Sequence, residues 1–439
     1  MGSMGSGESY SAMLPFLNQA RFGSYLILPY QFREGEFHSE WADNTFSPRD
    51  VTTVDLNETA KSMLRHSSHV SIGSCWMIPR DVLLREVSGI GQADSLTLYV
   101  ETEHTRRSFS LTDSWLYVFH SHTAFLAIGI CFDEIQTLAD IVNPGGVTSR
   151  ASFSYEDAAG RAEFSLSDWA DTIASRAGLQ GFFSRESNPF MDVFTYTLAV
   201  IPERFPDLDV MKQAAFNLHL MIPFGNPVTD NSEEDVRFVY AKIDELSHTF
   251  RWAACVTSQT VSYITADPNM DLNSQMEIRG RAGLPVVMLA LYEKYTCLRY
   301  TEAISNTDIR HLKPIQKLKM EMLEFKAYGT LSPANISRWN NIRQIYKALL
   351  DTNEIPMAIA DVDHKISILA EYQRELETKR TGLLTNLITV FGIVSILASV
   401  LTIIQILLGA NDVIWIALVL TAAILVLAFL LALFRRRDR

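Results

Sequence analysis

Two long apolar stretches near the C-terminal end constrain this chain more than any other feature. Residues 383–408 and 413–434 contain no charged side chain, and only the short segment 409–412 separates them. Each stretch is longer than the roughly 20 residues that an α-helix needs to cross the hydrocarbon core of a bilayer. The sequence therefore predicts a hairpin of two membrane-spanning helices.

The basic residues beside the two stretches predict how the hairpin is oriented. Lys379 and Arg380 precede the first stretch, four arginines follow the second at positions 435, 436, 437 and 439, and the connection carries only Asp412. Because basic flanks stay on the cytoplasmic side, both chain ends are expected in the cytoplasm and the connection outside. This pattern is typical of a multi-pass protein of the cell inner membrane.

One stripe of the first predicted span carries small and hydroxyl-bearing residues. At helical spacing it comprises Thr381, Thr385, Ile388, Gly392, Ser395, Ser399 and Thr402. Two helices cannot enclose a water path, so transport would require several copies of the chain around an axis. The stripe is then either the wall of a pore or a close contact between helices, because small residues let two backbones approach. The sequence leaves both readings open.

The spans contain no acidic side chain, basic side chain or histidine, which argues against a proton-coupled carrier. If ions cross, backbone carbonyls and neutral side chains must replace their water. The first span ends at Gly409, Ala410 and Asn411, followed by Asp412.

With this tripeptide and topology the chain resembles the CorA family of divalent-cation channels, which carry Gly-Met-Asn at the outer end of the pore-lining first span. The resemblance implies a homo-oligomer, a pentamer in that family, whose pore is lined by the first span. Gly409 would supply a tight backbone and the Asn411 amide would face a hydrated metal cation. Ala410 stands where the family has Met, and Asp412 leads almost at once into the second span, where the family has a longer outer loop. Magnesium selectivity is therefore not implied.

The residues before the membrane predict an acidic cytosolic part. Removing Asp412, Asp438 and the four tail arginines from the totals of 50 acidic and 38 basic residues leaves 48 against 34. That balance suits cations and does not suit duplex nucleic acid, so no direct nucleic-acid partner is expected. The four cysteines form no Cys-x-x-Cys pair and are expected to be reduced. Residues 1–7 (MGSMGSG) look like the remnant of an expression tag.

Runs of strand-forming residues alternate with helical patterns over residues 20–280, which predicts an α/β (α+β) domain with a mixed sheet. Strands are expected at 25–30, 95–101, 115–120, 123–132, 192–201, 236–240 and 260–265, and helices at 58–66, 133–142, 166–177 and 207–220. Residues 143–146 should break the chain, and residues 31–57 should form a loop.

A helical stalk is expected over residues 281–380, before the hairpin with its basic tail at 381–439. Residues 285–327 predict one or two helices with an apolar stripe of Met288, Leu291, Tyr292, Tyr295 and Leu298, and the next helix should start at Ser332 and Pro333 and run to Leu350. The last helix should run unbroken over 357–408, on the order of 75 Å. Its first half has a coiled-coil seam of Ile359, Val362, Ile366, Leu369 and Leu376, interrupted by Gln373.

The seam could pack on the chain itself or on a neighbouring copy. In either case a tilt in the cytosol would reach the pore wall. Asp361 and Asp363, in the first turns of this helix, are candidates for a regulatory cation or ligand site, although such residues more often form a solvated face. His120 and His122 alternate like ligands on one strand, yet no third ligand is evident nearby, so a turn without metal is expected.

These patterns predict a homo-oligomeric CorA-like channel for divalent cations, with Mg²⁺ or a similar ion as permeant or regulatory ion. One branch is housekeeping transport. The other resembles CorA-like effectors of antiphage defence, including type III CRISPR systems, in which a nucleotide-type messenger opens the membrane. The alternative is a membrane-anchored binding or scaffold protein whose hairpin is only a tether. No nucleophile with its base, phosphate loop or zinc-protease motif is present, so the chain is not expected to be an enzyme.

Overall fold

The structure is a computed structural model. It describes residues 5–66, 71–88, 96–142, 152–157, 160–182, 193–205, 207–226, 236–240, 251–307 and 312–408, together with 415, 418, 421 and 422. The chain forms two compact units. Unit 1 comprises Met1–Asn306 and Met320–Asp363, and unit 2 comprises Thr307–Lys319 and His364–Arg439. The predicted stalk, residues 281–380, is divided between them.

Unit 1 is built on a single mixed sheet of fourteen described strands. The strands are β1 (Arg21–Gln31), β2 (Ser47–Arg49), β3 (Gly73–Ile78), β4 (Thr97–Glu101), β5 (Arg106–Leu111), β6 (Ser114–Phe119), β7 (Thr123–Phe132), β8 (Ser152–Asp157), β9 (Gly160–Phe164), β10 (Gln180–Gly181), β11 (Phe194–Ile201), β12 (Arg237–Tyr240), β13 (Trp252–Val256) and β14 (Thr260–Ala266). The main path runs β12-β13-β14-β11-β1-β7-β5-β4-β8-β9. Strands β11 and β14 pair in parallel, and the other described pairs are antiparallel.

The sheet branches at β7 because that strand is longer than its neighbours on one edge. Its first part pairs with β6 and its last part with β5, while β1 pairs along the whole opposite edge. From β6 the branch continues through β3 to β2. The predicted hairpin at 115–132 is confirmed, with its turn at residues 120–122.

Helices cover both faces of the sheet. The described helices of unit 1 before its last segment are α1 (Gly5–Leu17), α2 (Ser39–Thr45), α3 (Glu58–Met63), α4 (Arg80–Ser88), α5 (Ile135–Val142), α6 (Leu166–Arg176), α7 (Leu208–His219), α8 (Leu272–Ile278) and α9 (Leu284–Ser305). Leu26 and Leu28 of β1 join the core cluster that includes α1, α4, α5, α6 and α7. The alternate residue Tyr25 faces α8, where its hydroxyl donates to the Met276 carbonyl at 3.0 Å. This three-layer arrangement explains why β1, β11 and β14 are buried on both faces.

Several helix ends follow the sequence closely. The Ser165 hydroxyl accepts a bond from the Asp168 backbone N–H and caps α6, as its sequence predicts. Gly178, just beyond α6, has a φ of 75°, a left-handed conformation that glycine adopts without strain. The Asp207 carboxylate caps α7 by accepting a bond from the Asp209 backbone N–H at 2.7 Å.

The structure corrects two expectations for unit 1. Residues 31–57, predicted as a loop, contain α2 and the short strand β2. The first three turns of α9 are buried on every side and not along one stripe only, because the helix packs against the sheet. Leu298, a member of the predicted stripe, is 42% exposed. Phe119 of β6 stacks on Tyr292 of α9 with ring centroids 4.4 Å apart.

The helices after α9 are α10 (Leu312–Glu324), α11 (Pro333–Ile336), α12 (Asn340–Thr352) and α13 (Ile355–Leu408). Ser332 caps α11 as predicted, but the helix stops at Ile336 and α12 begins four residues later. Helix α13 has 54 residues and is unbroken, which confirms the predicted continuity. Along its seam Val362, Ile366 and Gln373 are buried within the single chain. The chain itself therefore covers this seam.

Among the described residues, one helix is long and apolar enough to cross a membrane. It covers Ile355–Val400, its most apolar 18-residue window has a mean hydropathy of 2.2, and only 6% of that window is buried. The core helix of a soluble protein would be mostly buried. Most of the second predicted span, residues 413–434, lies outside the described residues, although residues 415, 418, 421 and 422 are helical.

Candidate functional site

The predicted stripe of the first span lies on one continuous helix and faces outward in the single chain. Thr385, Ile388, Gly392, Ser395, Ser399 and Thr402 are all exposed there. Ile388, the large apolar member, is 71% exposed. Exposure in one chain is compatible with a pore wall and with a helix contact, so both readings of the stripe stay open.

Three hydroxyl groups of the stripe donate hydrogen bonds within their own helix. Thr385 donates to the Thr381 carbonyl at 2.9 Å, Ser399 to the Ser395 carbonyl at 2.8 Å, and Thr402 to the Ala398 carbonyl at 2.8 Å. Such bonds remove the cost of an unsatisfied polar group in hydrocarbon. The stripe can therefore enter a membrane without a partner helix.

The residues predicted to form the selectivity site, Gly409, Ala410, Asn411 and Asp412, lie outside the described residues. Their geometry, including that of the proposed metal ligand Asn411, stays a prediction. Within the described part of the chain, no group of three or more His, Cys, Asp or Glu side chains is placed to hold a metal ion.

The two aspartates at the start of α13 are in different situations. Asp363 accepts a bond from the Lys326 ammonium at 2.8 Å, and both side chains are about two-fifths exposed. Asp361 is exposed. The pair lies on one helix end, and the Lys326 charge already neutralises one member.

A cavity of about 370 Å³ in unit 1 lies against the α8–α9 face of the sheet. Cys75 and Tyr117 are directly opposite one another in the β3–β6 pair and form part of its wall, together with Trp115 and the loop of residues 49–55. The other side is the π-helical turn Arg279–Gly283, which joins α8 to α9.

The Tyr117 side chain gives this cavity an unusual polar atom. The residue is fully buried, and its hydroxyl has no hydrogen-bond partner among the residues that the structure describes. Burial raises its pKa well above the ordinary value, so the hydroxyl keeps its proton and can donate it to an acceptor. A buried polar group without a partner costs free energy, and sites for ligands are among the places where that cost is tolerated.

The loop that lines this cavity is hydrogen-bonded to the segment that leads toward α12. The Asn57 backbone N–H donates to the Ile336 carbonyl at 3.0 Å, and the Asn57 side-chain amide donates to the Asn335 carbonyl at 3.1 Å. The Ser337 hydroxyl donates to the Asp55 carbonyl. Both α12 and α13 begin within twenty residues of Ser337. A shift of the loop would therefore pull on a segment that is joined to α13 by only a short length of chain.

A buried carboxyl group joins three further segments of unit 1. Glu293 of α9 is 3% exposed and accepts bonds from the Tyr346 hydroxyl of α12 at 2.5 Å and from the Leu331 backbone N–H at 3.3 Å. Burial raises the pKa of Glu293 to about 7, although both hydrogen bonds favour the charged form. The Glu293 carboxyl group therefore titrates near neutral pH at the contact between α9 and α12.

A second cavity, of about 360 Å³, lies at the end of the sheet that carries the β6–β7 turn. The two histidines that were candidates from the sequence, His120 and His122, both line it, and His66 and Asp43 line it as well. These four side chains share a cavity without forming a metal site. Burial lowers the pKa of His120, which favours its neutral form.

Sequence reasoning did not find either cavity. Cys75, Trp115 and Gly280 are far apart in the chain, and only the strand pairing and the π-helical turn bring them together. The one usable signal was the pair His120 and His122, which predicted the turn but not the wall of a cavity.

Comparisons with known proteins give little further information. The sequence matches no family model and no curated protein. Among solved structures, the chain is similar to the CorA magnesium transporter from Methanocaldococcus jannaschii, with 9% sequence identity over 63% of this chain and 95% of that chain, and a TM-score of 0.24. With so low a TM-score the two structures do not superpose as wholes.

Proposed function

We propose that this chain forms a homo-oligomeric, CorA-like membrane channel for divalent cations, gated by a ligand or cation that binds the cytosolic sheet domain. The observation that carries the proposal is α13, a single helix of 54 residues that begins beside α12 and continues through the apolar stretch. A continuous helix transmits a tilt along its length, which a flexible linker would not do.

In the proposed assembly the first spans surround the pore and the second spans lie outside them. Thr385, Ser395, Ser399 and Thr402 would face water, and Gly409–Asp412 would form the outer mouth, with the Asn411 amide toward the hydrated ion. The sequence features that resemble the CorA family support this arrangement, including two spans in the inner membrane, both termini in the cytoplasm and a pentamer. The proposal includes no enzymatic activity and no direct nucleic-acid partner.

Gating is proposed to start in unit 1. A molecule in the 370 Å³ cavity would contact the loop of residues 49–55, whose neighbours Asp55 and Asn57 are bonded to residues 335–337. The volume is within the range of small-molecule sites. A nucleotide-type messenger, as in the antiphage and CRISPR-associated branch, and a regulatory Mg²⁺ ion, as in housekeeping transport, are the two ligand classes to compare. Asp361 and Asp363 are the candidates for the cation.

A membrane-anchored binding protein is the second candidate. The observation in its favour is that the hydroxyl groups of Thr385, Ser399 and Thr402 bond within their own helix, so they need no partner from a neighbouring helix in lipid. Oligomer mass in detergent and cation flux into liposomes separate the two functions. A monomer without flux, tested with Mg²⁺ and with nucleotide ligands, would support the tether.

The sharpest test of the channel is Asn411→Ala. If the amide oxygen faces the ion, its loss changes divalent-cation flux or selectivity by about tenfold, because a weakened ion site is worth roughly 1–2 kcal/mol. Oligomer mass should not change. The matched control is Asn386→Ala, which removes an amide from the other end of the same span. Equal flux in the wild type and Asn411→Ala would mean that residues 409–411 are only a turn.

A further inference from the structure

The cavity at the β6–β7 end of the sheet is bordered by a continuous row of aromatic rings. We call the rings of His122, Phe32, Phe37, Trp76 and His66 the aromatic row. Successive centroids are 5.2, 5.7, 5.6 and 5.0 Å apart. Neighbouring rings are tilted or edge-on to one another, with interplanar angles of 45–88°. All five residues line the same cavity of about 360 Å³.

The row is assembled from five separate parts of unit 1, of which the part with His66 lies just after α3. Phe32 follows β1, Phe37 precedes α2, Trp76 is in β3, and His122 is in the β6–β7 turn. The Phe32 backbone N–H donates to the His122 carbonyl at 3.1 Å, which fixes one end of the row. His122 has a φ of 62°, a left-handed conformation that costs free energy in a residue other than glycine. The fold holds this imidazole at the cavity despite that cost.

The charges at the cavity have one sign. Asp43 of α2 accepts a hydrogen bond from the Trp76 indole N–H at 2.9 Å. No lysine or arginine occurs among the described residues that line the cavity. The other titratable groups of the described lining are His66, His120 and His122, and burial lowers the pKa of His120, which favours its neutral form. Asp43 is the one acidic side chain among the described lining residues.

A cation is the ligand that this chemistry complements, because the faces of aromatic rings carry negative electrostatic potential. A bare metal ion is not favoured, since no three His, Cys, Asp or Glu side chains of the described residues are placed to coordinate one. We propose that this cavity binds an organic cation, an alkylated ammonium group, whose alkyl groups contact the aromatic row and whose charge is balanced by Asp43.

The proposal is tested by calorimetry on the purified full-length protein, with choline and tetramethylammonium as probes. The neutral comparison is 3,3-dimethylbutan-1-ol, which has the shape of choline and carries a carbon in place of the charged nitrogen. We expect both cations to bind, and the neutral analogue to bind about tenfold more weakly because it lacks the interaction between charge and ring. Equal binding of choline and its neutral analogue, or no binding of either cation, would overturn the proposal.

Two variants locate the site. Asp43→Asn keeps an oxygen that accepts the Trp76 N–H and removes only the charge, so the affinity for choline should fall about tenfold while the fold is retained. The matched control is Glu40→Gln, which removes the same charge from the same helix α2 at an exposed position that does not line the cavity. It should bind choline like the wild type.

Phe37→Leu removes one ring of the aromatic row and keeps an apolar side chain. This variant should lose more affinity for choline than for the neutral analogue. If both variants bind choline unchanged, the cation does not bind at this cavity and the proposal is wrong. These measurements use binding alone, so their failure would not bear on the channel, and a protein without cation flux could still bind choline.

Discussion

Glu293 is an ionisable side chain that the fold buries almost completely. A buried carboxylate pays a desolvation cost, and among the described residues the Tyr346 hydroxyl and the Leu331 N–H are the groups that offset it by hydrogen bonds. The folded protein therefore holds the proton on Glu293 up to about pH 7, whereas the unfolded chain releases it near pH 4.5. Between these two values the folded state binds more protons, so its stability falls as the pH rises.

Glu293→Gln should remove this pH dependence. The glutamine carbonyl can accept the same two hydrogen bonds without a charge. At pH 8 we expect the variant to be more stable than the wild type by up to about 3 kcal/mol, and near pH 4.5 we expect the two to be equal. Thermal unfolding followed by circular dichroism in detergent measures both. Glu302→Gln, at an exposed position of the same helix, is the control. A constant difference between wild type and Glu293→Gln at every pH would contradict the assignment.

At the scale of elements, the sequence predicts strands β1, β7 and β11 in the middle of the sheet, and it also predicts β4, β12 and β14 further out. Strands β1, β7 and β11 are buried on both faces and read as continuous apolar runs, which are easy to recognise. Among the missed strands, β3 and β13 are mostly buried as well, but three others are of a different kind. Strand β5 begins with Arg106 and Arg107 and alternates polar with apolar residues over only six positions, and β8 and β9 lie at the end of the sheet. Short polar strands leave little periodicity to detect.

The π-helical turn Arg279–Gly283 shows the same limit for the candidate site. The sequence indicated a helix near residue 285. It did not indicate that the residues just before this helix would form a π-helical turn, which is wider than an α-helical one. Arg279 places its guanidinium 4.3 Å from the Tyr263 ring centroid, and the backbone of Gly283 lies close to Tyr196. The first contact joins residues 16 positions apart and the second joins residues 87 positions apart. Cavity walls built in this way could not be predicted from local patterns.

Gly283→Ala should destabilise unit 1 because the added Cβ would overlap the Tyr196 hydroxyl and lie 3.0 Å from its Cζ atom. We expect a loss of about 1–3 kcal/mol, measured by urea unfolding. Adding Tyr196→Phe removes the overlapping oxygen and should restore part of that loss. Gly225→Ala is the control, since a Cβ at that position meets nothing within 4 Å. Full stability in Gly283→Ala would show that the turn can move away from the sheet.

At the scale of the whole molecule, the proposed channel needs several chains to present one stripe to a common axis. A substitution on that stripe then places one new side chain from every copy at the same level of the pore. The same substitution on another side of the helix would face lipid instead. The effect of the stripe substitution on flux therefore depends on the assembly and not on the stability of a single chain.

Ser395→Phe and Ser399→Phe should each block cation flux, because several rings would meet at the axis. We expect flux into liposomes to fall at least about tenfold, with oligomer mass unchanged. Ile393→Phe, on the opposite side of α13 by helical spacing, is the matched control and should conduct like the wild type. Normal flux in both serine variants would place the stripe outside the conducting path.

The hydroxyl bonds along α13 have a consequence for the sign of the ions that such an assembly would admit. The hydroxyl groups of Thr385, Ser399 and Thr402 each donate their one hydrogen to the carbonyl four residues earlier. What each oxygen still offers to its surroundings is lone pairs, which accept hydrogen bonds from water and attract positive charge. A ring of these helices around water would therefore prefer cations to anions, even though residues 383–408 carry no ionisable side chain.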